Sequence, residues 1–395
     1  MKSIGIICEC NPFHSGHGYL IEEARASGAD CVVCVMSGYF TQRGEAAIAD
    51  PYFRSRALLY GGADLVLELP YPYSSSSAEF FAGAGVDILS RLSVDELWFG
   101  SECGDLTLLQ KGADASSDEA FLNRYEQSTA TSDGTARAYF DALQAHMGED
   151  VSLASNDILG IAYLSALKKY QSNMKPVTIK RQGSAYLDGE LQPNRHPSAT
   201  AIRRRMLADG IESVSAYLSA DSIAVLTEAD RAGGAMASLT HAERAILMHL
   251  RMQSPEVIQK IAELEGGLGN RLLHAAQESC SLEQLIELAA TKKYTTSRIQ
   301  RGILYSMTGV EREDLKRRPA YVRVLVANRT GCAFLAANRR HTDINVVTKQ
   351  SELPTDENAR RQEALHCRAV GAYTLCLPNP MDATALLRKN CLILK

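Results

Sequence analysis

The sequence predicts an α/β fold built on a parallel sheet, and two observations in residues 1–205 support this. Short, almost wholly apolar segments recur along the chain, the first two at 3–8 and 29–36. Segments with helical spacing separate them, and this alternation is typical of a parallel sheet that helices cover on both faces. With 46% hydrophobic and 22% charged residues, the chain has enough apolar material for such a buried core.

The predicted elements follow each other regularly. The expected strands lie at 3–8, 29–36, 63–69, 95–99 and 176–181. The expected helices lie at 17–26, 51–60 and 78–92, and two more begin near 155 and 200. In open parallel sheets, ligands bind beyond the carboxyl ends of the strands. Because the polar segments 11–17, 37–45 and 100–102 each follow a strand, we expect the functional site at that edge.

Two further regions complete the predicted organisation. Between 211 and 313, apolar residues recur at three- and four-residue spacing, which predicts helices. From 321 onward, strand patterns at 321–326 and 344–348 alternate with helical ones. We therefore divide the chain into an α/β domain at 1–205, a helical region at 206–318 and a small terminal α/β module at 319–395.

The composition argues against several classes of protein. The net charge of −4 gives no protein-wide positive field for a nucleic acid, although a local basic face would suffice. The first residues lack the pattern of a signal peptide, and no apolar stretch approaches the roughly 18 residues of a membrane-spanning helix. We therefore expect a cytoplasmic protein without membrane contact.

Four cysteines have a spacing that superficially resembles a zinc site, Cys8 and Cys10 followed by Cys31 and Cys34. They lie in or beside predicted strands, where alternate side chains point to opposite faces and do not converge on one ion. We therefore expect no protein-bound metal.

A pair of histidines marks the first candidate site. His14 and His17 flank Gly16 directly after the first strand, at the start of a helix. The first turn of a helix has unpaired backbone N–H groups and a dipole that favours phosphate, and a glycine lets a nucleotide approach the backbone. Imidazoles three residues apart lie on one face of this turn and can donate to phosphate oxygens. We therefore predict a nucleotide site in which His14 and His17 are catalytic. The alternative is that the two histidines only cap the helix or pack near the turn.

A second candidate phosphate site lies at the start of the helix near 200. Ser198, Thr200 and Arg203 place two hydroxyls and a guanidinium there. Such groups bind phosphate oxygens at a helix start. We expect Ser198 and Thr200 to bind ATP and Arg203 to stabilise charge that develops on the transferred phosphate. A plain helix cap with a solvent-exposed arginine is the alternative.

Together these motifs resemble a known superfamily. Segments 11–17 and 198–203 are similar to those of HIGH-type nucleotidyltransferases, which have a Rossmann-like domain. Residues 36–45, MSGYFTQRGE, are more specific. With segments 62–70, 99–102, 156–160, 180–181 and 293–301, they resemble the bacterial tRNA(Met) cytidine acetate ligases over essentially the whole chain. Tyr39 and Ala46 depart from that family's pattern, in which we expect asparagine and proline.

The resemblance implies an enzyme that consumes ATP and acetate. It would form acetyl-adenylate and transfer the acetyl group to the wobble cytidine of elongator tRNA(Met), giving N4-acetylcytidine. Mg²⁺ would arrive with ATP, because no carboxylate pair stands out as its ligand. The implied ATP site comprises Ile7, Cys8, Glu9, Cys10, Asn11, Pro12, Phe13, His14, Ser15, Gly16, His17, Gly18, Tyr19, Leu20, Gly100, Asn156 and Arg181.

A pocket for the acid is predicted after the second strand, from Ser37, Tyr39, Gln42 and Arg43. The Tyr39 ring either narrows this pocket in favour of acetate or points away and packs on a loop. In the helical region, Lys293, Arg298 and Arg301 are expected to contact tRNA phosphates. A solvent-exposed basic helix face is the alternative for these three residues.

Two other functions fit part of the same pattern. An adenylyltransferase acting on a small phosphate-bearing metabolite would need the nucleotide site but not the long second half of the chain. A noncatalytic nucleotide- and RNA-binding protein would not need both histidines and Arg203. The acetate ligase accounts for both features.

Overall fold

In a computed structural model, the structure describes residues 1–115, 153–181 and 198–394, and a few positions between the first two ranges (118, 119, 121, 123, 125, 139 and 142–146). Eight strands of this described part form one sheet, in the order β5-β4-β1-β2-β3-β6-β7, with β8 paired to β6. The strands are β1 (Ser3–Cys8), β2 (Cys31–Ser37), β3 (Leu65–Leu69), β4 (Glu96–Ser101), β5 (Lys175–Lys180), β6 (Tyr321–Ala327), β7 (Asn345–Val347) and β8 (Leu392–Ile393).

Helices connect and cover these strands. In the first part of the chain they are α1 (Ser15–Ala26), α2 (Pro51–Tyr60), α3 (Ala78–Arg91), α4 (Leu106–Ala115), α5 (Ser155–Lys169) and α6 (Ala199–Asp209). The middle part contains α7 (Ala220–Arg231), α8 (Glu243–Arg251), α9 (Pro255–Ile258), α10 (Leu268–Glu278), α11 (Leu282–Ala289), α12 (Thr296–Thr308) and α13 (Arg312–Lys316). The last part contains α14 (Arg329–Asn338), α15 (Glu357–Leu375) and α16 (Ala383–Leu387). No helix within the described ranges is long and apolar enough to cross a bilayer.

The predicted parallel sheet is confirmed for β1 to β5, in which every neighbouring pair is parallel. The strand β6 then adds antiparallel to β3, pairing Leu65 with Ala327. The strands of the terminal segment therefore extend the main sheet. The boundaries at 205 and 318 stay predictions.

Each face of the sheet has its own core because strand side chains alternate. Val33, Val35 and Leu67 pack with α3 and α5 on one face, and Cys34 and Met36 pack with α1 and α2 on the other. The cysteines divide in the same way. Cys8, Cys10 and Cys34 belong to the second face and Cys31 to the first, which separates the members of the 31–34 pair.

The helical region packs against the carboxyl end of β2 and β3. Its core includes Tyr39 and Phe40, which follow β2, together with Tyr373 of α15. The hydroxyl of Tyr305 in α12 donates to the main-chain oxygen of Ser75, at 2.7 Å. The edge of the sheet at which we expect the site is therefore bordered by the helical region.

Candidate active site

The two histidines cap the amino terminus of α1. Nδ1 of His14 accepts the N–H of Gly16 at 3.0 Å, and Nδ1 of His17 accepts the N–H of His14 at 3.3 Å. The ring centroids lie 4.1 Å apart. Because each Nδ1 is an acceptor, a neutral ring carries its proton on Nε2. Both rings therefore have an Nε2–H donor at the helix start, where the helix dipole stabilises a bound anion most strongly.

His17 is neutral at physiological pH. Burial, and then the positive charge of Arg181, lower its pKa from 6.5 to about 4. A neutral imidazole acts on a phosphate oxygen as a hydrogen-bond donor and not as a cation. The effect of the Arg181 charge on His17 also indicates that the end of β5 and the start of α1 face one site.

The segments after β4 and β5 meet near the start of α5. A Cβ on Gly100 would lie 3.1 Å from Cγ of Arg181, so the glycine lets the arginine stem cross the strand. Nδ2 of Asn156 donates to one carboxylate oxygen of Glu102 at 2.6 Å, and the other oxygen accepts the N–H of Asn156 and of Asp157, each at 3.1 Å. Glu102, which belongs to the predicted segment 100–102 but was given no role there, therefore positions Asn156.

Arg203 is oriented by the loops around it. Its Nη1 donates to the main-chain oxygen of Asn11 at 3.0 Å, and its Nη2 donates to the carboxylate of Glu45 at 2.6 Å and to Oγ1 of Thr200 at 3.4 Å. The side chain is only 12% exposed, unlike the solvent-exposed arginine of the alternative. Ser198 caps α6 by accepting the N–H of Ala201 at 3.2 Å. The structure thus joins the second predicted phosphate segment to the loop that leads to the histidines.

The rest of the predicted ATP segment runs from β1 into α1. Ile7 and Cys8 are buried at the end of β1, and Glu9 is half-buried. The buried residues Cys10, Asn11, Pro12 and Phe13 make the connection, and Ser15, Gly16, Gly18, Tyr19 and Leu20 are exposed or half-buried in the first turns of α1.

Arg54, on α2, fixes the two loops of this edge, and sequence reasoning missed it. The side chain is 1% exposed. Its guanidinium donates to the main-chain oxygens of Glu9 and Cys10 after β1, of Ser37 and Gly38 after β2, and of Ala49. A buried cation satisfied by carbonyls is costly to remove because each acceptor loses its donor. No signal in the segment 51–60 distinguished Arg54 from Arg56, which follows two residues later.

A hairpin at 40–46 joins the helical region to the nucleotide site. The N–H of Gln42 donates to the Glu9 carboxylate at 2.8 Å. On the other side, Nη1 of Arg301 donates to the main-chain oxygen of Gln42 at 3.4 Å. Gly44 has φ of +77°, and a Cβ there would lie 2.6 Å from the backbone nitrogen of Arg301, so the hairpin lies directly against α12. Arg43 is half-buried in the same hairpin.

The side chains of the predicted acid pocket lie in different surroundings. Ser37 is fully buried, and its hydroxyl has no hydrogen-bond partner among the described residues. Tyr39 is 5% exposed, and its ring packs against Tyr373 (5.0 Å between centroids) and His366 (6.0 Å). Tyr39 therefore lies in the contact between the sheet and α15. Whether it also shapes an acid pocket stays a prediction.

The three predicted tRNA-binding cations differ in exposure. Lys293 is exposed, and its ammonium lies 5.5 Å from the centre of the Tyr294 ring. Arg298 and Arg301 are 16% and 12% exposed and form ion pairs with Glu263, at 3.6 and 2.8 Å. Sequence reasoning could not foresee these pairs, because Glu263 lies more than thirty residues away. Contact with tRNA stays a prediction for all three residues.

Comparison with known proteins gives matches over nearly the whole chain. The model of the HIGH Nucleotidyl Transferase family matches residues 1–386. The tRNA(Met) cytidine acetate ligase of Anoxybacillus flavithermus is 34% identical to the chain, and the match covers 98% of both proteins. That of Acetivibrio thermocellus is 36% identical, and the match covers 96% of both proteins. The crystal structure of apo Thermotoga maritima TmcAL matches with a TM-score of 0.93 at 29% identity, and that bound with alpha-thio ATP matches with 0.90 at 28%, both over 100% of each chain.

Proposed function

Because the chain belongs to the tRNA(Met) cytidine acetate ligase family of HIGH nucleotidyltransferases, we propose that it acetylates the wobble cytidine of elongator tRNA(Met), using ATP and acetate. The observation that carries this proposal is the pair of Nε2–H donors on His14 and His17 at the start of α1. The ATP analogue bound to the similar Thermotoga protein supports ATP as the nucleotide.

In the first step, an acetate oxygen attacks the α-phosphorus of ATP, and pyrophosphate leaves. Negative charge then builds on the phosphate oxygens, and fixed donors that face them lower the barrier. His14 and His17 supply such donors from one side, and Arg203 and Thr200 supply them from the other. Gly100, Asn156 and Arg181 hold the nucleotide from the end of β4 and β5. Mg²⁺ enters with the phosphates of ATP.

The acid lies next to this site, beyond β2. The hydroxyl of Ser37, which has no hydrogen-bond partner among the described residues, is a donor at the carboxyl end of that strand. A buried hydroxyl without a partner costs about 1–3 kcal/mol, which a carboxylate acceptor relieves. Gln42 and Arg43 border the same space from the hairpin. This arrangement favours a small acid close to the α-phosphate.

In the second step, the exocyclic amine of the cytidine attacks the acetyl carbonyl and AMP leaves. The tRNA lies on the helical region, where Lys293 is an exposed cation beside α12. Phosphate contacts there would position the anticodon loop over the adenylate. The protein acts in the cytoplasm, where tRNA is available.

The test is to incubate the protein with labelled acetate, ATP and bulk bacterial tRNA, and then to digest the RNA. We expect label in N4-acetylcytidine, dependent on both ATP and tRNA. If labelled acetyl-adenylate forms but no nucleoside is labelled, the acceptor is wrong. If AMP is transferred instead to a phosphate-bearing metabolite, the chain is an adenylyltransferase. If neither product forms, the protein is not a ligase.

A further inference from the structure

The second step releases a proton that a base must accept. When an aromatic amine attacks a carbonyl carbon, its nitrogen becomes positively charged until a proton leaves. The histidines do not serve this purpose. His17 accepts the N–H of His14 through Nδ1 and carries its proton on Nε2, and His14 uses its own Nδ1 for Gly16. Both rings therefore present donors and not lone pairs to the site.

Most carboxylates at this edge of the sheet already have partners. Glu45 is paired with Arg203, and Glu102 accepts three hydrogen bonds at the start of α5. Asp157 accepts the N–H of Ala154 and of Cys103, at 2.9 and 3.1 Å. These hydrogen bonds and this ion pair hold the three carboxylates in place. None of the three is a suitable proton acceptor, because protonation would break those contacts.

Glu9 differs from them. Within the part of the chain that the structure describes, its carboxylate accepts one hydrogen bond, from the N–H of Gln42 at 2.8 Å, and forms no ion pair. The main-chain oxygen of Glu9 is held by Arg54 at 2.7 Å, so its backbone is fixed. The parallel register pairs Cys8 with Met36, which places Glu9 opposite Ser37 at the next position. Glu9 thus connects the predicted nucleotide segment, to which it belongs, with Ser37 and Gln42 of the predicted acid pocket.

The surroundings of Glu9 make its carboxylate more basic than an exposed one. Burial raises the pKa of its carboxyl, and the guanidinium of Arg203 opposes this rise. The other groups that act on it are Glu45, which raises the pKa, and Arg43 and the N–H of Gln42, which lower it. Tyr163 faces Glu9 from α5, and its own pKa lies well above 10, mainly through burial, so it stays neutral. A carboxylate whose pKa is raised accepts a proton more readily than one with the ordinary value.

From this placement we propose that Glu9 is the general base of the acetyl-transfer step, an assignment that rests on the proposed function. The lone pair of the cytidine amine forms the new N–C bond. The C–O bond to the adenylate phosphate breaks, and AMP leaves with the bonding electrons. The amine proton passes to the Glu9 carboxylate and then to solvent after AMP leaves. Atoms and charge balance without another reactant.

The test measures the two steps separately in Glu9→Gln. This variant keeps an oxygen that can accept the N–H of Gln42 but removes the basic carboxylate. Acetate-dependent exchange between ATP and pyrophosphate reports the first step. Transfer from chemically synthesised acetyl-adenylate to saturating tRNA(Met), in a single turnover, reports the second. Glu79→Gln is the matched control, because Glu79 is an exposed carboxylate in the first turn of α3.

We expect transfer by Glu9→Gln to fall about 100- to 1000-fold and exchange to fall less than tenfold. Transfer by the wild type should increase with pH as Glu9 loses its proton, and this dependence should disappear in the variant. Equal losses in both steps, or transfer at the wild-type rate, would overturn the assignment. A wild-type protein that never acetylates tRNA would instead refute the proposed function.

Discussion

The guanidinium of Arg203 lies between the main-chain oxygen of Asn11 and the carboxylate of Glu45, at 3.0 and 2.6 Å. One residue of α6 therefore joins the loop before the histidines to the hairpin after β2. The ion pair holds the guanidinium in one orientation, and a positioned donor is worth more to a developing charge than a mobile one. This relationship leads to the first prediction.

Replacing Arg203 by alanine should slow acetate-dependent exchange about 100- to 1000-fold, the usual cost of losing one donor to a transition-state charge. Glu45→Gln is the control, because the amide still accepts from Nη2 but carries no charge. It should slow exchange less than tenfold. Near wild-type exchange by Arg203→Ala would show that the guanidinium has a structural role only.

The low pKa of His17 gives a prediction about acid stability. The folded pKa is about 4 and the unfolded value is 6.5, so the unfolded chain binds more protons between these values. The contribution of His17 to stability is therefore present above pH 6.5 and is lost as the pH falls toward 4. Urea unfolding of the wild type and of His17→Asn should show a smaller loss of stability for the variant over this range. Parallel curves would contradict the assigned neutral state.

The hydroxyl of Ser37, without a partner in the part of the chain that the structure describes, gives a prediction about the acid. Ser37→Ala should raise the KM for acetate in the exchange reaction about tenfold, or about 1.4 kcal/mol, near the lower limit for a hydrogen bond to a charged group. The KM for ATP should change little. Tyr39→Phe keeps the buried ring and serves as the comparison. If Tyr39→Phe alters the KM for acetate and Ser37→Ala does not, the acid contacts the tyrosine.

The buried guanidinium of Arg54 gives a prediction about stability. Arg54→Lys retains the charge but cannot donate to all five carbonyl groups, and each unsatisfied group costs about 1–3 kcal/mol. We expect the free energy of unfolding to fall by at least about 2 kcal/mol. Arg56→Lys, on the same helix, loses the two-point hydrogen bonding to the 55%-exposed Glu228 and should cost less than about 1 kcal/mol. Equal losses in the free energy of unfolding would show that the buried hydrogen bonds of Arg54 contribute little to stability.

Local patterns in the sequence predicted the elements well where the pattern itself sets the structure. The helix α2 spans Pro51–Tyr60, as expected, because Pro51 begins it and Gly61 ends it. The strand β1 was likewise expected at the residues where it occurs. The histidine pair was recognisable because its spacing and its place after a strand are both local features.

Contacts between distant segments could not be predicted in this way. The antiparallel pairing of β6 with β3 joins residues more than 250 positions apart, and neither strand's pattern specifies its partner. The same holds for Arg54, whose acceptors come from several loops, and for the ion pairs of Arg298 and Arg301 with Glu263. A basic residue on a helix looks solvent-exposed in the sequence until the facing acid is known.

The ion pairs of Arg298 and Arg301 indicate that the predicted tRNA-binding cations have different roles. Lys293 is exposed, so Lys293→Ala should weaken tRNA binding and leave exchange unchanged. The slope of log affinity against log salt should become shallower by about 0.7–0.9, as for one lost phosphate contact. Lys111→Ala, an exposed lysine on α4, is the matched control and should leave the slope unchanged.

Arg301 should behave differently, because it holds the main-chain oxygen of Gln42, whose N–H contacts Glu9. Loss of this support should misplace the hairpin, and small misplacements near reacting groups cost up to about 100-fold in rate. Arg301→Ala is therefore expected to slow exchange even without tRNA, at any salt concentration, whereas Lys293→Ala does not. If Arg301→Ala lowers tRNA affinity and spares exchange, the guanidinium leaves Glu263 to bind RNA. In that case the contacts of Gln42 with Glu9 and of Glu45 with Arg203 hold the hairpin in position.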